Sequence, residues 1–91
     1  MMANMSPVEQ KFMQMARQVS PGVIPQNPNY QQIVGEEIFE YVEGIVGDHA
    51  PKVTGMLIDL PIPDIHQYLA DYKKFEEKVK EASKLLGEGG N

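Results

Sequence analysis

Hydrophobic positions recur at helical spacing along most of the chain. In the stretch from Lys52 to Leu60, KVTGMLIDL, residues Val53, Met56, Leu57 and Leu60 stand three, four and seven apart, on one side of a helix. Gly55 lies inside this stretch, where glycine costs about 1 kcal/mol relative to alanine. Either a buried helix tolerates it, or another backbone or a ligand comes close at that point.

The same pattern predicts the other elements. Ser6 as N-cap, Pro7 at the first helical position and Glu9 near the positive helix end start a helix running to Val19, with Val8, Phe12, Met15, Ala16 and Val19 on its apolar face. Ser20 to Asn29 holds Pro21, Gly22, Pro25 and Pro28 and reads as a connector, expected to uncouple the first helix from the rest. Helical spacing resumes with Tyr30, Ile33 and Val34, and again with Ile38, Phe39, Val42, Ile45 and Val46; Gly35 interrupts the run and Gly47 stops it. Asp48 is expected to cap the next helix, with Pro51 in its first turn, and Pro61 to end it. Pro63 opens a short segment in which Ile62, Ile65 and Leu69 share a face, and Asp71 starts a last helix. That helix carries Tyr72, Phe75, Val79, Ala82 and Leu86 on one side, with four-apart pairs Lys73–Glu77 and Glu76–Lys80 on the other. Gly87 to Asn91 is expected to be a disordered tail. With no alternating strand pattern or hairpin dipeptide, the fold class is all-α.

Composition narrows the function. A chain of 91 residues forms one domain and buries only about 60–65% of its unfolded surface, which favours a shallow surface site over a deep catalytic cavity. Thirteen acidic against eight basic residues give a net charge of -5, which disfavours direct contact with nucleic acid or anionic membranes. The absence of cysteine excludes disulfides and thiolate nucleophiles and fits a reducing compartment. No apolar run approaches the roughly 18 residues of a membrane span and no signal-peptide pattern opens the chain, so a soluble, cytoplasmic protein is expected.

Candidate chemistry is sparse. His49 and His66 lie on different helices without a cysteine companion, as exposed polar positions would, so no metal is expected. The carboxylates Glu36, Glu37, Glu40 and Glu43 are spaced as a solvated helix face. The lysines at 73, 74, 78, 80 and 84 alternate with Glu76, Glu77 and Glu81, which cancels most of their field. Gly87, Gly89 and Gly90 lack the preceding strand and following Lys-Ser/Thr of a phosphate loop. Neither an enzyme nor a cofactor site is expected.

Three motifs carry a resemblance. IVGEEIF (Ile33 to Phe39), KVTGMLID (Lys52 to Asp59) and KVKEASKLL (Lys78 to Leu86) follow one another, without a gap from about Asn29, at the spacing of the MLLE domain. This is the peptide-binding module at the C-terminus of cytoplasmic poly(A)-binding proteins, also found in a HECT-type ubiquitin ligase and in fungal endosomal RNA-transport proteins. Two departures stand out: the Leu-Glu closing the family's namesake motif is Ile58 and Asp59 here, and the last helix meets Gly87 and Gly89. The resemblance implies a right-handed superhelical bundle of five short helices over 29–86, with a junction between two of them at Gly35. Residues 1–28 are then an extra N-terminal helix and connector.

It further implies a monomeric, non-enzymatic module that takes up short linear peptides of the poly(A)-binding-protein-interacting kind, found in factors of translation, mRNA turnover or mRNA transport. Such a peptide inserts a phenylalanine and a leucine on opposite sides of the KVTGMLID helix. Carried over by position, the phenylalanine pocket consists of Gln32, Gly35, Glu36, Phe39, Lys52, Thr54 and Leu57, and the leucine pocket of Met56, Leu60, Ala82 and Leu85. Phe39 offers a ring for stacking, the Lys52 stem lines a rim, and flexible Met56 suits a surface that accommodates peptides. The other reading of the same amphipathic pattern is a helical assembly or oligomerisation module without a peptide groove.

Overall fold

The computed structural model describes residues 5–89, and these are all-α. The helices are α1 (Pro7–Val19), α2 (Tyr30–Val46), α3 (Ala50–Ile58), α4 (Ile62–Ala70) and α5 (Tyr72–Gly89). Single 3₁₀ turns follow α1 at Ser20–Gly22 and precede α3 at Gly47–His49. Short helices such as α3 and α4 are marginal alone, so packing of their apolar faces supplies the stability. α2 packs along α3, α5 lies against α2, α3 and α4, and α1 rests on α2, α4 and α5.

Local chemistry explains most boundaries. Ser6 Oγ accepts from the Glu9 amide at 3.2 Å while Glu9 Oε1 accepts from the Ser6 amide at 3.0 Å, a reciprocal cap at the start of α1. Gly47 ends α2 with φ 62°, a left-handed backbone conformation that costs a glycine nothing. Asp71 Oδ1 accepts from the Lys73 amide at 2.9 Å and opens α5.

Several expectations are corrected. Gly35 does not divide two helices: α2 is continuous from Tyr30 to Val46, so 29–86 holds four helices where the resemblance implied five. A helical glycine costs about 1 kcal/mol, less than burial of Val34 and Ile38 on either side returns. Asp48 does not cap α3; it lies in the 3₁₀ turn, and the preceding-residue position falls to His49, whose side chain makes no capping bond. Gly87 does not stop α5, which continues to Gly89; the expected tail beyond that, Gly90 and Asn91, lies outside the described residues. Among the described residues Lys11–Glu40, at 3.1 Å, forms an ion pair, whereas Lys73–Glu77 and Glu76–Lys80 remain apart.

The connector does not uncouple α1. Phe12 is fully buried, with its ring centroid 4.5 Å from Phe75 and edge-on to Tyr41 and Tyr72 at 5.3 and 5.2 Å. Ala16, Val19 and Val23 are buried beside it, although Val8, expected on the same face, is exposed. Prolines shape the connector without detaching it, because Val23 anchors in the core and Asn27 Nδ2 donates to the Gly22 carbonyl at 2.8 Å. His66, expected to be solvent-exposed, is half-buried, and its Nε2–H donates to the Val23 carbonyl at 2.8 Å, tying the connector to α4.

Candidate functional site

The C-terminal end of α3 is held by side chains of two other helices. There, where helical carbonyls lack intrahelical donors, Gln31 Nε2 of α2 donates to the Ile58 carbonyl at 2.9 Å. The buried Tyr68 hydroxyl of α4 donates to the Leu57 carbonyl at 3.1 Å. Burial pushes the Tyr68 hydroxyl well above the ordinary tyrosine range, so it stays protonated and remains a donor. Neither Gln31 nor Tyr68 stood out in the sequence, because each acts on a carbonyl far away in the chain.

On the α5 side of α3 lies a cleft of about 130 Å³. Met56, Leu60, Ala82 and Leu85, the residues expected to form a leucine pocket, all line it, and Lys78 and Glu81 stand at it too. Leu57, expected on the phenylalanine side, lines this cleft as well and is nearly fully buried. Leu85 is 60% exposed despite its size, so the cleft presents apolar surface to solvent. The helix period explains the grouping: residues 82 and 85 lie one turn apart on α5, as do 56 and 60 on α3.

The α2 side is different. A Cβ built at Gly35 would lie 3.7 Å from Ile58 Cγ2, 3.8 Å from Ile58 Cδ1 and 3.8 Å from Thr54 Cγ2. These are ordinary contact distances, so the approach of α2 to α3 does not depend on glycine at position 35, and the Ile58 side chain lies over it. Gln32 and Glu36 are exposed and meet each other, Nε2 to Oε2 at 3.4 Å. Phe39 is half-buried and Lys52 exposed. Thr54 is only 7% exposed, yet its Oγ1 has no hydrogen-bond partner among the described residues. A buried hydroxyl left unpaired costs about 1–3 kcal/mol. Gly55, between the two sides, faces open space; a Cβ there would meet nothing within 4 Å, so among the described residues no other backbone packs against that side of it.

His49 is exposed, and among the described residues no three His, Asp or Glu side chains converge as a metal cage. No helix among them is long and apolar enough to cross a membrane.

The family model of the MLLE domain matches residues 25–86. The chain is 33% identical over 55 residues to the E3 ubiquitin-protein ligase hyd of Drosophila melanogaster, covering 60% of this chain and 2% of that protein. It is 35% identical over 63 residues to a polyadenylate-binding protein, cytoplasmic and nuclear, of Chaetomium globosum, covering 68% of this chain and 8% of that protein. The chain thus spans less than a tenth of either relative's length. No solved structure matches it. The family match takes in the three motifs and the helices that carry both sides of α3, and the chain belongs to the MLLE family, whose members are protein-interaction domains that bind peptide motifs in partner proteins.

Proposed function

We propose that this domain captures short linear peptides of the poly(A)-binding-protein-interacting kind by wrapping them around α3, without catalysis. The observation that carries this reading is the cleft between α3 and α5, in which Met56, Leu60, Ala82 and Leu85 converge from two helices and leave Leu85 exposed. Its about 130 Å³ suits one aliphatic side chain, and it is walled by the apolar groups that would desolvate a leucine. The open space at Gly55 leaves the peptide backbone room to cross α3 between the two sides.

On the α2 side the peptide phenylalanine is received by Gln32, Gly35, Glu36, Phe39, Lys52 and Thr54, with Leu57 beneath. Because Ile58 lies over Gly35, the ring has to displace that side chain as it enters. Carriage of such a domain by a polyadenylate-binding protein and by a ubiquitin ligase supports roles in recruiting mRNA-handling factors in the cytoplasm.

The test is a titration of ¹⁵N-labelled protein with a peptide holding one leucine and one phenylalanine at the motif's spacing. Shifts are expected at Gly35 and Thr54 on one side and at Met56 and Leu85 on the other. Replacing the peptide phenylalanine by alanine should cost about 2–4 kcal/mol, as truncation of an interface anchor does. An unresponsive spectrum, or concentration-dependent self-association in its place, rejects peptide capture in favour of an assembly module.

A further inference from the structure

A second groove, of about 400 Å³, lies between α1, α2 and α5. It shares no lining residue with the cleft at Met56 and Leu85. Val8 and Lys11 come from α1, which lies outside the 25–86 family match, so this groove exists only because α1 docks. Ile45, Tyr41 and Tyr72 give it an apolar and aromatic wall, and Val8, 51% exposed, adds a free aliphatic edge. The absence of a side chain at Gly44 keeps it open: a Cβ there would meet nothing within 4 Å.

The rim is acidic. Glu40 and Glu76 line the groove and Lys11 is the cation within it. Burial, with Glu40 and Glu37 adding to it against the opposing Lys11, raises the Tyr41 hydroxyl; burial, then Glu76 and Glu9, raises that of Tyr72. Four carboxylates therefore act on this surface. Lys11 occupies one of them, Glu40, at 3.1 Å, but both partners are mostly exposed, and solvent screens such pairs until they contribute little. An incoming cation can take the place of Lys11 at little cost.

We infer that this groove is a second docking site, which takes an arginine flanked by an aliphatic residue in a linear segment of a partner protein. The volume lies at the small end of the roughly 300–1,000 Å³ of ligand sites, so it accommodates one or two side chains and no folded element. An aliphatic side chain packs on Val8 and Ile45. The guanidinium, weakly hydrated and planar, pairs with Glu40 or Glu76 and lies against a tyrosine ring. Lysine satisfies the charge but not the bidentate and stacked geometry, so arginine is the better occupant.

The experiment uses two tripeptides, acetyl-Leu-Arg-Leu-amide and acetyl-Leu-Glu-Leu-amide, titrated into the full labelled chain. The arginine probe is expected to shift the Gly44 and Tyr72 amides, to bind at least about tenfold tighter than the glutamate probe, and to weaken as salt rises from about 50 to about 500 mM. Gly44→Leu, which adds a better helix former in open space, should remove this response with the circular dichroism unchanged. Glu40→Gln combined with Glu76→Gln should weaken the arginine probe several-fold and leave the glutamate probe no weaker. Equal binding of both probes, undiminished binding by Gly44→Leu, shifts confined to the Met56 and Leu85 cleft, or no shifts at millimolar probe would each overturn the assignment. Because the readout amides lie apart from α3, loss of the peptide-capture reading leaves this test intact.

Discussion

Two side chains on the α2 face of α3 decide how a ring could enter there. Ile58 lies over Gly35, and Thr54 holds a buried hydroxyl with no partner among the described residues. Gly35→Ala places its new carbon at an ordinary contact distance of 3.7–3.8 Å, so the helix should gain stability, by up to about 1 kcal/mol, while peptide affinity falls several-fold. Calorimetry beside thermal unfolding separates the two effects, and unchanged affinity would show that the ring goes elsewhere. Thr54→Val should raise the stability of the free protein, since it removes a hydroxyl whose burial costs about 1–3 kcal/mol. It should also weaken a peptide that supplies the missing partner. If this substitution lowers stability instead, the Thr54 hydroxyl is satisfied in solution. Neither the cover over Gly35 nor the orphan hydroxyl could be read from the chain, because both depend on which rotamers α2 and α3 allow each other.

Of the elements, α1 shows most clearly where periodicity suffices and where it fails. Its start followed from Ser6, Pro7 and Glu9, which act over three residues, and the spacing of Phe12, Ala16 and Val19 marked the face that is buried. Its docking was not legible: Pro21, Gly22, Pro25 and Pro28 read as a break, while the contact that fixes α1 is made by Phe12 with Tyr41, Tyr72 and Phe75, far along the chain. Phe12→Ala should cost about 3–5 kcal/mol, a core truncation, and urea unfolding would register it. A loss under about 1 kcal/mol would mean that α1 packs only loosely. The same contrast holds at the site. Met56 and Leu60 stood on the apolar stripe of α3 and Ala82 on that of α5, but Leu85 lay off that stripe and was implied only by the family resemblance, while Gln31 and Tyr68, which fix the end of α3, act across 27 and 11 residues. Gly35 and Gly87 misled for another reason: glycine permits a break, and nothing at either position demands one.

The whole molecule is joined by tyrosines whose protonated form the fold prefers. Tyr68, Tyr41 and Tyr72 are all raised above the ordinary value of 10.0, first by burial, and they come from α4, α2 and α5. A group with a raised folded value adds stability that is fully present below the unfolded value and is lost as pH rises toward the folded one. Stability should therefore be level with respect to these groups below about pH 9 and fall above pH 10, at up to about 1.4 kcal/mol per pH unit for Tyr68 and by less for Tyr41 and Tyr72, whose shifts are smaller. Increasing negative charge on a chain already at -5 works in the same direction, so the slope alone does not identify the residue. Tyr68→Phe does. At pH 7 it removes a hydrogen bond to the Leu57 carbonyl, which still receives the Leu60 amide at 3.4 Å, so the loss should be about 1 kcal/mol. Above pH 10 the wild type gives up the stability of keeping Tyr68 protonated and the variant has none to give up, so the two denaturation curves should converge and then cross. Parallel curves from pH 7 to 11 would mean that Tyr68 ionises no harder in the fold than in the unfolded chain, and that the hydroxyl is not sealed in the core between α3 and α4.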